Sequence, residues 1–161
     1  MENKCKIYLD DFRTPLNGPM YDELIELGDW KVVRNYDQFV ELVESIGLEN
    51  IGVISLDHDL DESAMQEYYL NVSPNYKLDY DNIKEKTGLD CAKWLIEFYY
   101  NKYSSNASRG EKRKTVITFP AIYVHSANPI GSANIMGYIN NMFMNEAQPQ
   151  TCIRANFPHT N

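Results

Sequence analysis

The sequence predicts an α/β fold: a mostly parallel sheet of four to five strands flanked by helices as a three-layer sandwich. Three observations carry this. Short apolar runs at 51–56 and 121–124 read as buried parallel strands. Segments of helical period at 37–46, 88–103 and 132–145 alternate with them. The resulting strand–helix–strand order is that of βαβ units. The 161 residues, 43% of them hydrophobic, suit one domain with a sizeable core, spanning 1–161.

Residues 4–9 form the first strand pattern and end at Asp10-Asp11. Pro15 and Gly18-Pro19 then mark a loop, and residues 20–27 hold a helical turn or two closed by Gly28. Residues 30–33 read as a second strand, mixed in pattern and near an edge. Asp37 can cap a helix with Phe39, Leu42, Val43 and Ile46 on one face, and Gly47 ends it. Residues 51–56 are the central strand.

An acidic, tyrosine-rich insertion follows at about 61–86, with Tyr68, Tyr69, Tyr76, Tyr80 and Pro74. Connections this long in a compact domain are usually functional or mobile. Residues 63–70 have helical character. Two readings stand: a lid that offers aromatic rings for stacking a base, or a solvated segment whose tyrosines pack on the body. Thr87-Gly88-Leu89 opens a helix with Leu89, Ala92, Leu95, Ile96 and Tyr99 at helical spacing. Residues 104–114 form a polar loop and 121–124 another buried strand. The last helix, 132–145, turns Ile135, Ile139, Met142 and Phe143 inward. Residues 151–154 are the candidate fifth strand.

With 23 acidic against 15 basic residues the net charge is −8, which disfavours a duplex-tracking protein. A small anionic ligand remains compatible, because a metal ion or helix N-terminus supplies local positive charge. Cys5, Cys91 and Cys152 have neither zinc spacing nor an even disulfide framework. Residues 1–4 lack the apolar stretch of a signal peptide, and no 18-residue apolar run spans a bilayer. A cytoplasmic location is the expectation.

Chemistry-bearing residues gather where apolar strands stop: Asp10-Asp11, Asp57-His58-Asp59 and His125-Ser126. In open α/β sheets, ligands bind outside the carboxyl ends of the strands. Asp57 and Asp59 share a face of an extended chain, with His58 turned the other way. Two such carboxylates require a cation, a shared proton or open water between them. Asp10, Asp11 and Asp57 form an oxygen set suited to Mg²⁺ or Mn²⁺, although Asp11 also suits a simple turn into Arg13. His125 suits general acid–base work, and a lone histidine such as His58 suits a structural role equally. Arg13 and Ser126 can hold phosphate oxygens. The turn at Asn128, Pro129 and Gly131 is either an anion cradle of backbone N–H groups or an ordinary strand-to-helix turn.

The strings Tyr8-Leu9-Asp10-Asp11-Phe12-Arg13-Thr14-Pro15, Ser55-Leu56-Asp57-His58-Asp59-Leu60, Thr87-Gly88 and Tyr123-Val124-His125-Ser126-Ala127-Asn128-Pro129-Ile130-Gly131 resemble the cyclic-phosphate processing receiver-like domain family. The resemblance runs in order along nearly the whole chain. It implies a receiver-like α/β fold and action on cyclic phosphates in nucleic-acid repair or nucleotide signalling. It also sets Asp10 and Asp11 at the metal-binding positions, Asp57 at the phosphoacceptor position and Ser126 near the switch hydroxyl. The additional His58, Asp59 and His125 point towards phosphoester chemistry. The insertion exceeds what a plain receiver needs, and no lysine falls on the fifth strand, which argues against phosphoacceptor signalling.

The expectation is therefore a phosphoesterase dependent on Mg²⁺ or Mn²⁺, acting on a cyclic nucleotide or a 2′,3′-cyclic phosphate end. In it Asp57, Asp59, His125 and His58 are catalytic, Arg13, Ser126 and Asn128 bind substrate, and Asp10, Asp11 and Asp57 hold metal. The alternatives are a non-catalytic module that captures a nucleotide signal and a phosphoacceptor receiver.

Overall fold

A computed structural model describes residues 4–17, 29–103 and 117–143, together with the backbone of 152–154. Strands β1 (Cys5–Leu9), β2 (Trp30–Val33), β3 (Ile51–Leu56), β4 (Ala121–Val124) and β5 (Cys152–Arg154) form one sheet in the order β2-β1-β3-β4-β5. Every neighbouring pair is parallel. This is the doubly wound 2-1-3-4-5 order, whose direction of winding reverses between β1 and β3. The segments expected as a helical turn at 20–27 and a loop at 104–114 lie outside the described residues.

Among the described residues three long helices follow strands: α1 (Tyr36–Ile46) after β2, α3 (Gly88–Lys102) after β3 and α4 (Pro129–Phe143) after β4. Side chains alternate across a strand, so Ile7, Leu9, Ile54, Leu56, Ile122 and Val124 share one face of the sheet. They form the buried core with Phe39 and Val43 of α1, Leu95 and Ile96 of α3, and Ile135 and Ile139 of α4.

Helix ends explain two differences from the sequence pattern. Asn35, not Asp37, caps α1, because its extended backbone (φ −154°) brings its side chain to the Gln38 N–H. Helix α4 begins at Pro129 rather than Ser132, since Asn128 caps it and proline's fixed φ suits the first helical position. Gly47 ends α1 at φ 79°, a left-handed conformation that favours glycine. Thr87 and Asp90 form a reciprocal capping box at the start of α3.

The insertion contains a short helix, α2 (Glu62–Glu67), which runs into a π-helical stretch (Tyr68–Val72) and one further turn (Ser73–Asn75). Two carboxylates staple it. Buried Glu67 accepts from the Asp79 N–H at 2.9 Å, Asn71 at 2.8 Å and Asn82 at 2.9 Å. Glu85 accepts from the Ala64 N–H at 2.7 Å and from the Ser63 hydroxyl. These bonds hold both ends of the segment, so it is built structure and not a slack loop. Among the described residues, no helix is long and apolar enough to cross a membrane.

Candidate active site

The sheet's own hydrogen bonding places the site. The ladder continues one residue past each strand: the Asp10 N–H donates to Val33 O at 3.1 Å, Asp57 N–H to Leu9 O at 2.9 Å and His125 N–H to Leu56 O at 3.0 Å. Asp10, Asp57 and His125 therefore stand in register at the carboxyl ends of three adjacent strands, beside the point where strand order reverses. All three are buried, and one ligating atom from each lies within 4.8 Å of the others.

Arg13 ties the two acids together. Its Nε donates to Asp10 Oδ2 at 2.7 Å and its Nη2 to Asp57 Oδ2 at 2.6 Å. The loop after β1 is folded to permit this: Asp10 Oδ1 accepts from the backbone N–H of Phe12 at 3.0 Å and of Arg13 at 2.5 Å. Arg34, which the sequence did not flag, braces the loop by donating to the carbonyls of Asp10 (2.9 Å) and Arg13 (2.6 Å).

The two acids differ electrostatically. Burial alone raises Asp10, but its hydrogen bonds to His125, Arg13 and Phe12 and the Arg13 charge bring it down to about 2. At Asp57 burial dominates, and the carboxyl lies above its ordinary range despite His125, Arg13 and the Ser126 hydroxyl. Asp11 is also raised, by burial first and then by its neighbours Asp10 and Asp57.

His125 has both ring nitrogens engaged, Nε2 with Asp10 Oδ2 at 3.2 Å and Nδ1 with the Ser55 hydroxyl at 2.7 Å. Its ring stacks on Tyr8, with centroids 4.1 Å apart. The Tyr8 hydroxyl is buried without a hydrogen-bond partner among the described residues. Sequence reasoning missed Tyr8 and Ser55. The available signal was the period of two, since each stands two residues before a site acid and so on the same strand face.

Above this floor lies a pocket of about 220 Å³. Asp11, Arg13, Asp57 and Asp59 line its polar side, while Phe12, Met65, Tyr68 and Tyr69 form its apolar wall. Adjacent residues of an α-helix diverge by about 100°. Tyr68 and Tyr69 nevertheless both line the pocket, their rings 5.2 Å apart and edge-on, where the wider π turn changes the helical phase.

The cyclic-phosphate processing receiver domain family matches residues 5–141. The chain belongs to that family. No curated protein and no solved structure gives a match. The family places the chain in cyclic-phosphate processing, and its span includes all three strand-end clusters.

Within this receiver-type frame some expected residues sit elsewhere than the pattern suggested. Asp11 lines the pocket, and His125 takes its place in the group of potential ligands with Asp10 and Asp57. His58 does not simply face away from its acidic neighbours. Its Nδ1 is 2.6 Å from Asp59 Oδ1, because the ladder ends at Asp57 and the chain turns, so strict alternation no longer governs Asp59. The His58 ring is fully buried and does not line the pocket.

Of the two readings of the turn at Asn128, its hydrogen bonds favour the ordinary strand-to-helix turn: Gly131 N–H donates to Asn128 Oδ1 at 2.9 Å, and Asn128 N–H to Ser126 Oγ at 3.3 Å. Asn128 instead donates from Nδ2 to Asp59 Oδ1 at 3.2 Å, and the Ser126 hydroxyl favours the ionised form of Asp57. Both are fully buried and set the acids from below.

Two glycines make this packing possible. A Cβ on Gly88 would stand 1.8 Å from the Asp57 carbonyl oxygen, and one on Gly131 would stand 2.3 Å from His58 Cγ. The Thr87-Gly88 and Asn-Pro-x-Gly strings thus admit the helix starts of α3 and α4 against the Asp57-His58 turn.

Proposed function

We propose that the protein is a phosphoesterase that opens the ring of a small cyclic phosphate, a cyclic nucleotide or a 2′,3′-cyclic phosphate end, with a divalent cation. The observation that carries this is the union of Asp10, Asp57, His125 and Arg13 with an aromatic-walled pocket at one strand edge. The pocket is smaller than the roughly 300–1,000 Å³ usual for sites that enclose a whole ligand. It suits one cyclic phosphate and its sugar, with a base lying against Tyr68, Tyr69 or Phe12.

The donor set fits a divalent cation: two buried carboxylates and an imidazole from adjacent strand ends. The imidazole nitrogen favours Mn²⁺ over Mg²⁺, which prefers oxygen ligands and water. When bound, such an ion supplies Lewis acidity and positive charge beside four carboxylates that otherwise repel a phosphate.

The protein's own groups divide the remaining work. Arg13 directs its guanidinium to a phosphate oxygen. Asp59 binds the protein only through Oδ1 among the described residues, which leaves Oδ2 for the pocket. Water adds to phosphorus, its proton passes to Asp59 Oδ2, one P–O bond to the sugar breaks, and the leaving oxygen takes a proton from solvent, to which Asp59 returns its own. Asp57 and Asp10 hold the cation, with His125 completing the set. Ser126 and Asn128 position the acids.

One observation favours a second reading, a capture module without turnover. Arg13 already stands between Asp10 and Asp57 as their counter-ion, in the place that a catalytic cation would take.

A mass-spectrometric screen decides between them. Protein with Mn²⁺ or Mg²⁺ meets 2′,3′-cyclic mononucleotides, cyclic dinucleotides and cyclic-phosphate RNA ends, with Asp57→Asn alongside. Metal-dependent conversion of one class, lost in the variant and in EDTA, is the expected result. Stoichiometric binding with the ligand recovered intact establishes the capture module and ends the esterase reading.

A further inference from the structure

Asp59 ends a directional chain of hydrogen bonds that begins outside the strand edge. Its Oδ1 lies 2.6 Å from His58 Nδ1. A carboxylate only accepts, so Nδ1 carries the proton, and in the singly protonated ring Nε2 presents a lone pair. The Tyr80 hydroxyl stands 3.0 Å from Nε2, placed to donate to that lone pair. Asn134 Nδ2 in turn donates to the Tyr80 oxygen at 3.0 Å. The order is Asn134 to Tyr80 to His58 to Asp59, with every donor matched to an acceptor.

The ring cannot turn to find other partners. It is fully buried, and the Gly131 backbone lies directly against it. Tyr80 also touches it edge-on, with centroids 5.7 Å apart. Tyr80 belongs to the 3₁₀ turn Tyr80–Asn82, within the insertion whose Tyr68 and Tyr69 wall the pocket.

We propose that Tyr80 is a positioning residue: it fixes the His58 tautomer and thereby holds Asp59 with Oδ2 directed at the substrate. The insertion then contributes twice to the site, as the aromatic wall and as the lock on its base. This rests on the reading of Asp59 as the proton acceptor given above.

Tyr80→Phe removes the hydroxyl and keeps the ring. Without it, Nε2 is left buried and unpaired, a state that favours redistribution of the ring proton. The first measurement is the ¹⁵N shifts of the His58 imidazole in the full chain without substrate. Wild type gives the Nδ1–H tautomer, and Tyr80→Phe gives a mixture or a shifted pattern. Asn134→Ala moves the shifts the same way by less.

The second measurement is kinetics on whichever cyclic phosphate the wild type converts. The expected loss is about 10-fold in kcat with KM held within about two-fold, as for outer partners of reacting groups. Unchanged ¹⁵N shifts overturn the proposal, as do changed shifts with kcat unaltered. If the wild type converts nothing, a tautomer change in Tyr80→Phe upholds the lock while the esterase reading falls.

Discussion

Asp10 and Asp57 share one guanidinium, yet their linkage to pH has opposite sign. Asp10 is lowered from 3.8 to about 2, so its ionised form stabilises the fold. That contribution is complete above the unfolded value and is lost as pH falls through about 2. A drop of this size corresponds to about 2 kcal/mol, so Asp10→Asn should destabilise by about that amount at pH 7. Asp57 is raised by burial, so its ionisation opposes folding. Stability from this group is greatest below the unfolded value and declines as pH rises through the folded one. Asp57→Asn should therefore melt at or above the wild-type temperature at pH 7 while losing turnover. Urea denaturation of both variants at pH 7 checks the pair. A destabilised Asp57→Asn would show that its ion pair with Arg13 outweighs its burial.

At the scale of elements, the turn after β3 is compressed between two helix starts. Helices α3 and α4 approach so closely that Gly88 and Gly131 have no room for a methyl group. Alanine ordinarily favours a helix over glycine by up to about 1 kcal/mol. Here the added Cβ meets a carbonyl oxygen or a buried imidazole, and such overpacking costs about 1–3 kcal/mol. Gly88→Ala and Gly131→Ala should both lower thermal stability. Gly131→Ala should also perturb the His58 ring signals, whereas Gly88→Ala, pressed on backbone, should chiefly displace the Asp57 end of β3. Melting curves and histidine NMR distinguish the two. Gain of stability in either would mean that the helix starts move apart freely.

For the whole molecule, a net charge of −8 and carboxylates around one pocket favour a cation over a bare anion. If Asp10, Asp57 and His125 hold Mn²⁺, the ion binds the folded state and stabilises it by mass action. At a hundred-fold excess over Kd the gain is about 2.7 kcal/mol. For a chain of this length that raises Tm by about 5–10 °C. The shift should vanish with EDTA and in Asp10→Asn, as followed by calorimetry. A Tm indifferent to Mn²⁺ would leave Arg13 as the site's cation and support the capture module.

Strand and helix identity follows from local periodicity, so β1, β3, β4 and the cores of α1, α3 and α4 were legible in the chain, except that Met142, expected to face inward on α4, is exposed. The same held for the site's location, because an apolar run ending in acids or histidine marks a strand edge whatever its neighbours. The helix starts at Asn35 and Asn128 were less legible, since capping depends on one residue's backbone angle and not on a pattern. What the sequence by itself determined was a parallel α/β frame with Asp10, Asp57 and His125 at its carboxyl edge. Tertiary structure alone decided their partners. Arg13 reaches Asp57 across 44 residues, Ser55 reaches His125 across 70, and His125 reaches Asp10 across 115. Such pairings arise from strand order and helix packing, and one-dimensional spacing holds no record of either. Tyr80 is the clearest case: nothing around it in the chain distinguishes it from the other tyrosines of the insertion. It becomes singular only because the fold buries His58 beside it.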